Sequence, residues 1–400
     1  VKKRVEMKTE KRPGLVRDLG QPKQATYVEL FFDVIYIFIL FRLSQTLLSR
    51  LDWTGAYQTL ILLLAVWWVW SYTNLVTDTL DSRLIHIQLL VIATMFGGLL
   101  ISTTIPEAFE QRGLLFAIAY VAINLGRSSL LAIALRRDPL GCRPLRAVPW
   151  FVVSAVPWFA GALVDETARV ALWSLAIAID YLAALSGWPT PKLGRTNPSE
   201  WNLASEHLAE RYRQFIIIGL GETVITTGRT FHASEFSLHR GAAFTVAFVT
   251  TVLLYFTYFY RTREKLGTAF SHAHEPGFRN RESAFAHLLM VAGIVAITVS
   301  DEMAIAHATA AAPASWLVII LSGPALFLAG HALLGRHAFT RVSMPRLIGL
   351  GVLIAIGPPL VGQPVLVPAA AAAVVLAGIV GFDLLRGGRE VGDQSLPPRL

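Results

Sequence analysis

Stretches of about twenty apolar residues, each long enough to cross a hydrocarbon core of about 30 Å as a helix, follow one another along almost the whole chain. Inside a bilayer no water is available to backbone N–H and C=O groups, so a spanning segment folds as a helix or as a strand of a closed barrel. Continuous apolar runs of this length select the helix. With 54% hydrophobic and only 16% charged residues, and a mean hydropathy of +0.53, the 400 residues leave no room for a sizeable soluble domain. The fold class is therefore all-α, a polytopic integral membrane protein.

The runs predict twelve spans, at about 28–48, 54–75, 84–105, 113–136, 146–164, 168–186, 208–229, 241–261, 283–302, 314–335, 346–362 and 365–385. The predicted inner segments hold 26 Lys and Arg and the outer loops 5. By the positive-inside rule both termini are expected in the cytoplasm. The expected organisation is a basic cytoplasmic tail (1–27) touching anionic lipid, a first six-helix half (28–186), a cytoplasmic linker (187–207), a second six-helix half (208–385) and a short C-terminal tail (386–400). The first apolar run is of full length and no small-residue cleavage site follows it, so it reads as a span rather than a secretory signal. The +8 charge is scattered through short loops and points to topology, not to nucleic acid. Cys142, the single cysteine, cannot form an internal disulfide.

Matched positions in the two halves predict an internal repeat. Glu29 opens the first span and Glu210 the seventh, His86 opens the third and His287 the ninth, and each His follows an acid by five residues, Asp81 and Glu282. The aromatic WWVWSYTN of the second span matches LLYFTYFY of the eighth. Six spans per repeat is an even number, so the halves would be parallel, related by an axis along the membrane normal.

Polar groups inside the spans are the candidate functional residues, because an ionisable group near the bilayer centre costs roughly 3 kcal/mol on insertion scales. The run His207–Arg229 (HLAERYRQFIIIGLGETVITTGR) sets Glu222 between apolar segments, with Glu210 twelve residues earlier and about 18 Å lower on the same helix. Gly219 and Gly221 would let a neighbouring helix or a ligand approach. In the first span Glu29, Asp33 and Tyr36 share one helix face. Two carboxylates there can share a proton or hold a cation, or can simply cap the helix and ion-pair with Arg211 or Arg213. Arg42 and Arg127 lie near the middles of their spans and are opposite in sign to Glu222, Asp180, Asp301 and Glu302, so some of these six are expected to meet across helices. Trp67, Trp68, Trp70 and Tyr72 form an aromatic wall that suits a cation or an apolar ligand. His86 and His287, with Arg42 and Arg127, complete the candidate binding residues. The ten histidines have no tight metal-site spacing, and there is no Gly-rich phosphate loop or nucleophile elbow, so neither a metal nor another cofactor is expected.

Three of these stretches together, ELFFD at Glu29–Asp33, WWVWSYTN in the second span and HLAERYRQFIIIGLGE at His207–Glu222, resemble the bacterial low temperature requirement A family, collinearly over about residues 25–385. The resemblance implies a polytopic bacterial inner-membrane protein whose loss in one setting impairs growth in the cold. It carries no established catalytic or transport residues.

Three functions fit these residues. The first is a transporter or permease for a small solute or ion, proton-linked, with its site between the halves. The second is a membrane-embedded enzyme, such as a terpene-cyclase-like one, that protonates a lipid-soluble prenylated substrate with Glu29, Asp33, Glu210 or Glu222 as general acid. The third is a non-catalytic scaffold or stress sensor. A carrier needs polar groups reaching both sides, whereas the enzyme needs a blind apolar pocket open to lipid. The expected surroundings are the lipid bilayer, with no nucleic acid; the small-molecule ligand and the oligomeric state are not legible.

Overall fold

Apolar surface drives these helices into the bilayer, but contacts between their backbones and polar groups decide how they pack there. The computed structural model describes residue 15 and residues 24–196, 205–271, 276–339 and 343–394. Helices α1 (Tyr27–Ser49), α2 (Trp53–Thr79), α3 (Ile85–Thr104), α4 (Gly113–Ala134), α5 (Cys142–Ala162) and α6 (Glu166–Leu185) come first in the chain. They are followed by α7 (Ser205–Ala233), α8 (Leu238–Ser271), α9 (Pro276–Ala306), α10 (Ala314–Phe339), α11 (Met344–Ala355), α12 (Gly357–Leu360) and α13 (Leu366–Gln394). Among the described residues there is no strand, only two isolated bridges.

Ten of these helices are long and apolar enough to cross a membrane. α7 is not among them, since it carries His207, Glu210, Arg211, Arg213, Glu222 and Arg229. α11 is too short. The single span expected at 346–362 is instead broken after Ala355, where Pro358 and Pro359 open the one-turn α12. A proline lacks the N–H an α-helix needs and its ring collides with the carbonyl four residues back, so the helix cannot run through.

Helix starts follow local chemistry. Asp52 accepts the Gly55 N–H at 2.7 Å to cap α2, and Asp165 accepts the Ala168 N–H at 3.0 Å to cap α6. The segment expected as a plain linker is partly structured. Thr190 bridges to Gly194, and Trp188, with φ of +56°, is buried among Trp68, Phe151 and Tyr72. Residues 197–204 of that linker and most of the basic tail lie outside the described residues.

Exposed side chains along the helices are largely apolar, including Leu89, Ile92, Phe96, Leu130, Ile133, Val156 and Val374, whereas Glu29, Asp33, Asp180, Arg211, Glu222 and Asp301 are buried. Apolar outside and charged inside is the arrangement lipid imposes. Within the first six helices α1 touches α2 and α3, α3 touches α4, α4 touches α5, α5 touches α6, and α2 also touches α4 and α6. From α7 onward the same order of contacts recurs, with α7 on α8 and α9, α9 on α10, α10 on α11, α11 on α13, and α8 also on α10 and α13. α1 and α2 meet α7 and α9 across the middle.

The tightest of these contacts joins α9 and α10. A Cβ on Gly293 would lie 2.7 Å from the Gly323 carbonyl oxygen, and one on Gly330 would lie 2.5 Å from that of Ala286. Only glycine lets two backbones meet so closely, and in lipid, where burial of apolar surface offers no gain between helices, such packing is a main source of association.

Candidate functional site

Helical periodicity builds the site from three ladders. Glu29 and Asp33 on α1, Trp70, Asn74 and Asp78 on α2, and His207, Arg211 and Phe215 on α7 are each spaced by four residues and so line one face of their helix. Where the three faces meet, the side chains are buried. Arg211 grips Asp33 with both terminal nitrogens at 2.7 Å, the bidentate geometry in which a guanidinium is strongest. Its other side donates to the Asn74 amide oxygen at 3.0 and 3.2 Å, and the Trp70 indole N–H donates to Asp33 at 3.0 Å.

One helical turn away, His207 lies between two carboxylates. Its Nε2 is 3.2 Å from Glu29 and its Nδ1 is 3.0 Å from Asp78. A carboxylate can only accept, and a neutral imidazole donates from one nitrogen alone. Either His207 is an imidazolium or one of the two acids is protonated, so the three groups share a proton. Glu29 also accepts the Thr26 N–H at 2.7 Å and its hydroxyl at 3.0 Å. The capping role considered for Glu29 and the Arg211 partner considered for Asp33 are therefore both present, in one network.

An aromatic layer lies against this cluster. Trp67 stacks on Trp70 with centroids 4.9 Å apart, and Phe215 packs 4.4 Å from Trp70 and 5.5 Å from Tyr36. Phe32 and Tyr212 extend the layer at 5.3 Å from Tyr36 and 5.4 Å from Trp70.

Beyond it, eleven residues or about 17 Å further along α7 from Arg211, lies Glu222. Its two oxygens accept the hydroxyls of Thr226 at 2.8 Å and Thr298 at 3.0 Å, and Thr223 meets Thr298 at 3.0 Å. No cation pairs with it among the described residues. Asp301, one turn from Thr298 on α9, is buried with Oδ2 unbonded, and Glu302 accepts from Gln45 of α1 at 2.7 Å. Of the two glycines before Glu222 only Gly219 is a close contact, 3.1 Å from Ile294 for an added Cβ; Gly221 faces open space.

The expected meeting of Arg42, Arg127, Asp180, Glu222, Asp301 and Glu302 is not what the described residues show. Their described contacts are to neutral groups instead, and Arg42 Nε, Arg127 Nε, Asp180 Oδ1 and Asp301 Oδ2 have no partner among the described residues. Arg127 donates to Thr73, the Val69 carbonyl and Asn124, Arg42 lies over Phe38 at 4.7 Å, and Asp180 accepts from Tyr120 at 2.9 Å. Side-chain hydroxyls, amides and π-faces can stabilise an isolated charge where helices pack too closely for two long side chains to meet.

The remaining candidates divide. Trp67 and Trp70 belong to the layer beside Asp33, whereas Trp68 and Tyr72 point to the opposite side of α2, with Phe151, Tyr181 and Trp188. His287 is buried, stacks on Tyr212 at 4.2 Å and is held by Tyr258 at 2.9 Å and the Ser283 carbonyl at 2.7 Å. His86 is exposed. Glu210 is half-buried and pairs with Arg213 at 2.8 Å, away from Asp33. Among the described residues no group of three or more His, Cys, Asp or Glu could hold a metal.

Asp78, Asn74 and Thr298 carry the site and were not singled out in the sequence. The first two were legible in principle, four residues apart beyond Trp70; the third, one of many helix threonines, was not. A second buried pair, Arg346 with Asp383 at 2.6 Å and His331 at 3.2 Å, lies at the α10, α11 and α13 junction. Separately, a cavity of about 310 Å³ runs between α3 and α4, lined by apolar side chains, Thr94, Gly97, Gly126 and Arg127.

Residues 24–381 match the family described as bacterial low temperature requirement A protein (LtrA). An uncharacterized protein of Rhizobium meliloti (strain 1021) is 31% identical over 335 residues, covering 83% of this chain and 82% of that one. No solved structure matches.

Proposed function

The chain belongs to the bacterial low temperature requirement A family, and on that premise we infer that it is a proton-linked carrier of a small solute or ion. One observation carries the reading. A single seam of α1, α2, α7 and α9 has the proton-sharing Glu29–His207–Asp78 group toward one end, the Glu222–Thr298–Asp301 group toward the other, and an aromatic layer between them. Titratable groups at two depths with an apolar partition between them suit alternating access, in which the route to the site opens to one side at a time.

In this reading α7 is a span despite its charges, of which His207, Arg211 and Glu222 turn inward and are paired or hydrogen-bonded. α11 and α12 make one broken span, a common device around transport sites. That gives twelve spans in a bacterial inner membrane with both termini cytoplasmic, as the Lys and Arg distribution favours. The recurring order of helix contacts supports two parallel six-helix repeats meeting at the site. The enzyme alternative has less support. Its lipid-open apolar pocket would be the α3–α4 cavity, whose lining contains Arg127 and no carboxylic acid.

The test uses cells lacking the gene, grown in the cold, and everted vesicles loaded with a pH-sensitive dye and offered a panel of solutes. Wild-type protein is expected to restore growth and to move protons with one solute class, and Glu222→Gln to reach normal abundance but do neither. Full complementation by Glu222→Gln at normal abundance removes the carrier reading.

A further inference from the structure

Four arginines are buried among the described residues, Arg127, Arg169, Arg211 and Arg346. Three are compensated. Arg211 and Arg346 pair with Asp33 and Asp383, and Arg169 takes the carbonyls of Gly161, Ala162, Val164, Ala108 and Glu110, at the negative end of α5. Arg127 is different. Its Nη1 donates to the Val69 carbonyl at 3.2 Å and to Thr73 at 2.6 Å, its Nη2 to Asn124 at 2.8 Å, and the Tyr72 ring lies 4.4 Å away. Nε has no partner. A guanidinium has five N–H donors, so two remain, on Nε and Nη2, the pair a carboxylate engages side-on.

Arg127, whose Nε is buried, is among the residues that line the α3–α4 cavity, which at about 310 Å³ lies at the low end for a ligand site. The rims, Phe96, Leu115, Ile118 and Leu130, are exposed on the lipid-facing surface. Arg127 lies seven residues, or about 10 Å, from the Ala134 end of α4, with the rest of the cavity continuing along α4 toward Leu115.

We propose that this cavity binds a single-chain fatty carboxylate, head on Arg127 and tail between α3 and α4. The charge fixes the head as an anion. Its depth and the small volume favour one chain with a compact planar carboxylate over a two-chain phospholipid, whose phosphate would have to leave the headgroup layer to reach Arg127.

The test titrates the purified full-length chain in neutral detergent with radiolabelled oleate. A Cβ added at Gly126 meets nothing within 4 Å, so Gly126→Leu fills the cavity while leaving the hydrogen bonds of Arg127 intact. Expected are one saturable site, at least tenfold weaker binding in Gly126→Leu and in Arg127→Gln, and no competition from oleyl alcohol. Should Arg127→Gln fail to fold, Gly126→Leu carries the test alone. Equal competition by oleyl alcohol, wild-type binding by Gly126→Leu, or displacement by stoichiometric phosphatidylglycerol would each overturn the proposal.

Discussion

Asp33 and Glu222 are both carboxylates buried on the α1–α7–α9 seam, yet their surroundings differ in kind. Asp33 is locked by the bidentate guanidinium of Arg211, itself anchored on the Asn74 amide, and by the Trp70 indole N–H. Glu222 has two threonine hydroxyls and, among the described residues, no paired cation, Arg229 acting only at longer range. A hydroxyl can donate to a carboxylate or accept from a carboxylic acid, so the Glu222 cage accommodates either protonation state, whereas Arg211 can only donate and holds Asp33 in its ionised form. The first environment builds the protein and the second leaves a proton exchangeable. In the proposed carrier, the reversibility of an acid's partners, rather than its depth in the membrane, marks Glu222 as the working acid.

The largest effect expected from breaking this contrast is at Arg211. Arg211→Met strands Asp33 and should cost about 3–5 kcal/mol, read as collapse of folded protein in the membrane. The double variant with Asp33→Leu should recover most of that abundance; failure to recover would mean that Arg211 serves something other than Asp33. Next is Glu222→Gln, with abundance unchanged and proton movement reduced at least tenfold, because Gln keeps the shape and loses the titration.

Thr298→Val sharpens the same point. Removing one hydroxyl from a buried acid should cost about 1–3 kcal/mol and depress transport less than Glu222→Gln does. Glu210→Gln should leave transport within about twofold of wild type, since Glu210 sits half-exposed beside Arg213, where ion pairs contribute little. A loss as severe as that at Glu222 would put Glu210 on the proton route. Smallest of all, Arg50→Ala breaks the exposed contacts to Glu166 and Asp52 and should shift the thermal midpoint by no more than about 2 °C.

The helical fold was legible because its cause is local. Apolar length reads directly as span, and the structure has helices at those positions, ten with full span character. Glu29, Asp33 and Glu222 were legible as costly groups in apolar surroundings. Their partners were not. The pairing of Asp33 with Arg211 joins residues 178 positions apart, and helix rotation, which selects Arg211 over Arg213, is set by packing that no single segment contains. The opposed placement of Trp68 and Trp70 was readable from their 200° separation on a helix, but which of the two met an acid was not. The break after Ala355 was written in Pro358 and Pro359, and reading the stretch by hydropathy alone passed over it.

The Gly293–Gly323 contact has a mechanical meaning for the proposed carrier cycle. Backbones that touch without intervening side chains have no rotamers to rearrange, so α9 and α10 should behave as one strut. Thr298 and Asp301 ride on that strut, whereas Glu222 belongs to α7, which meets α9 through the larger Ile294 side chain at Gly219. Displacement during turnover is therefore expected to appear as α7 sliding past a stationary α9–α10 rail, opening and closing the Thr298 side of the cage. Paired spin labels should report a changing distance from α7 to α9 and a constant one from α9 to α10.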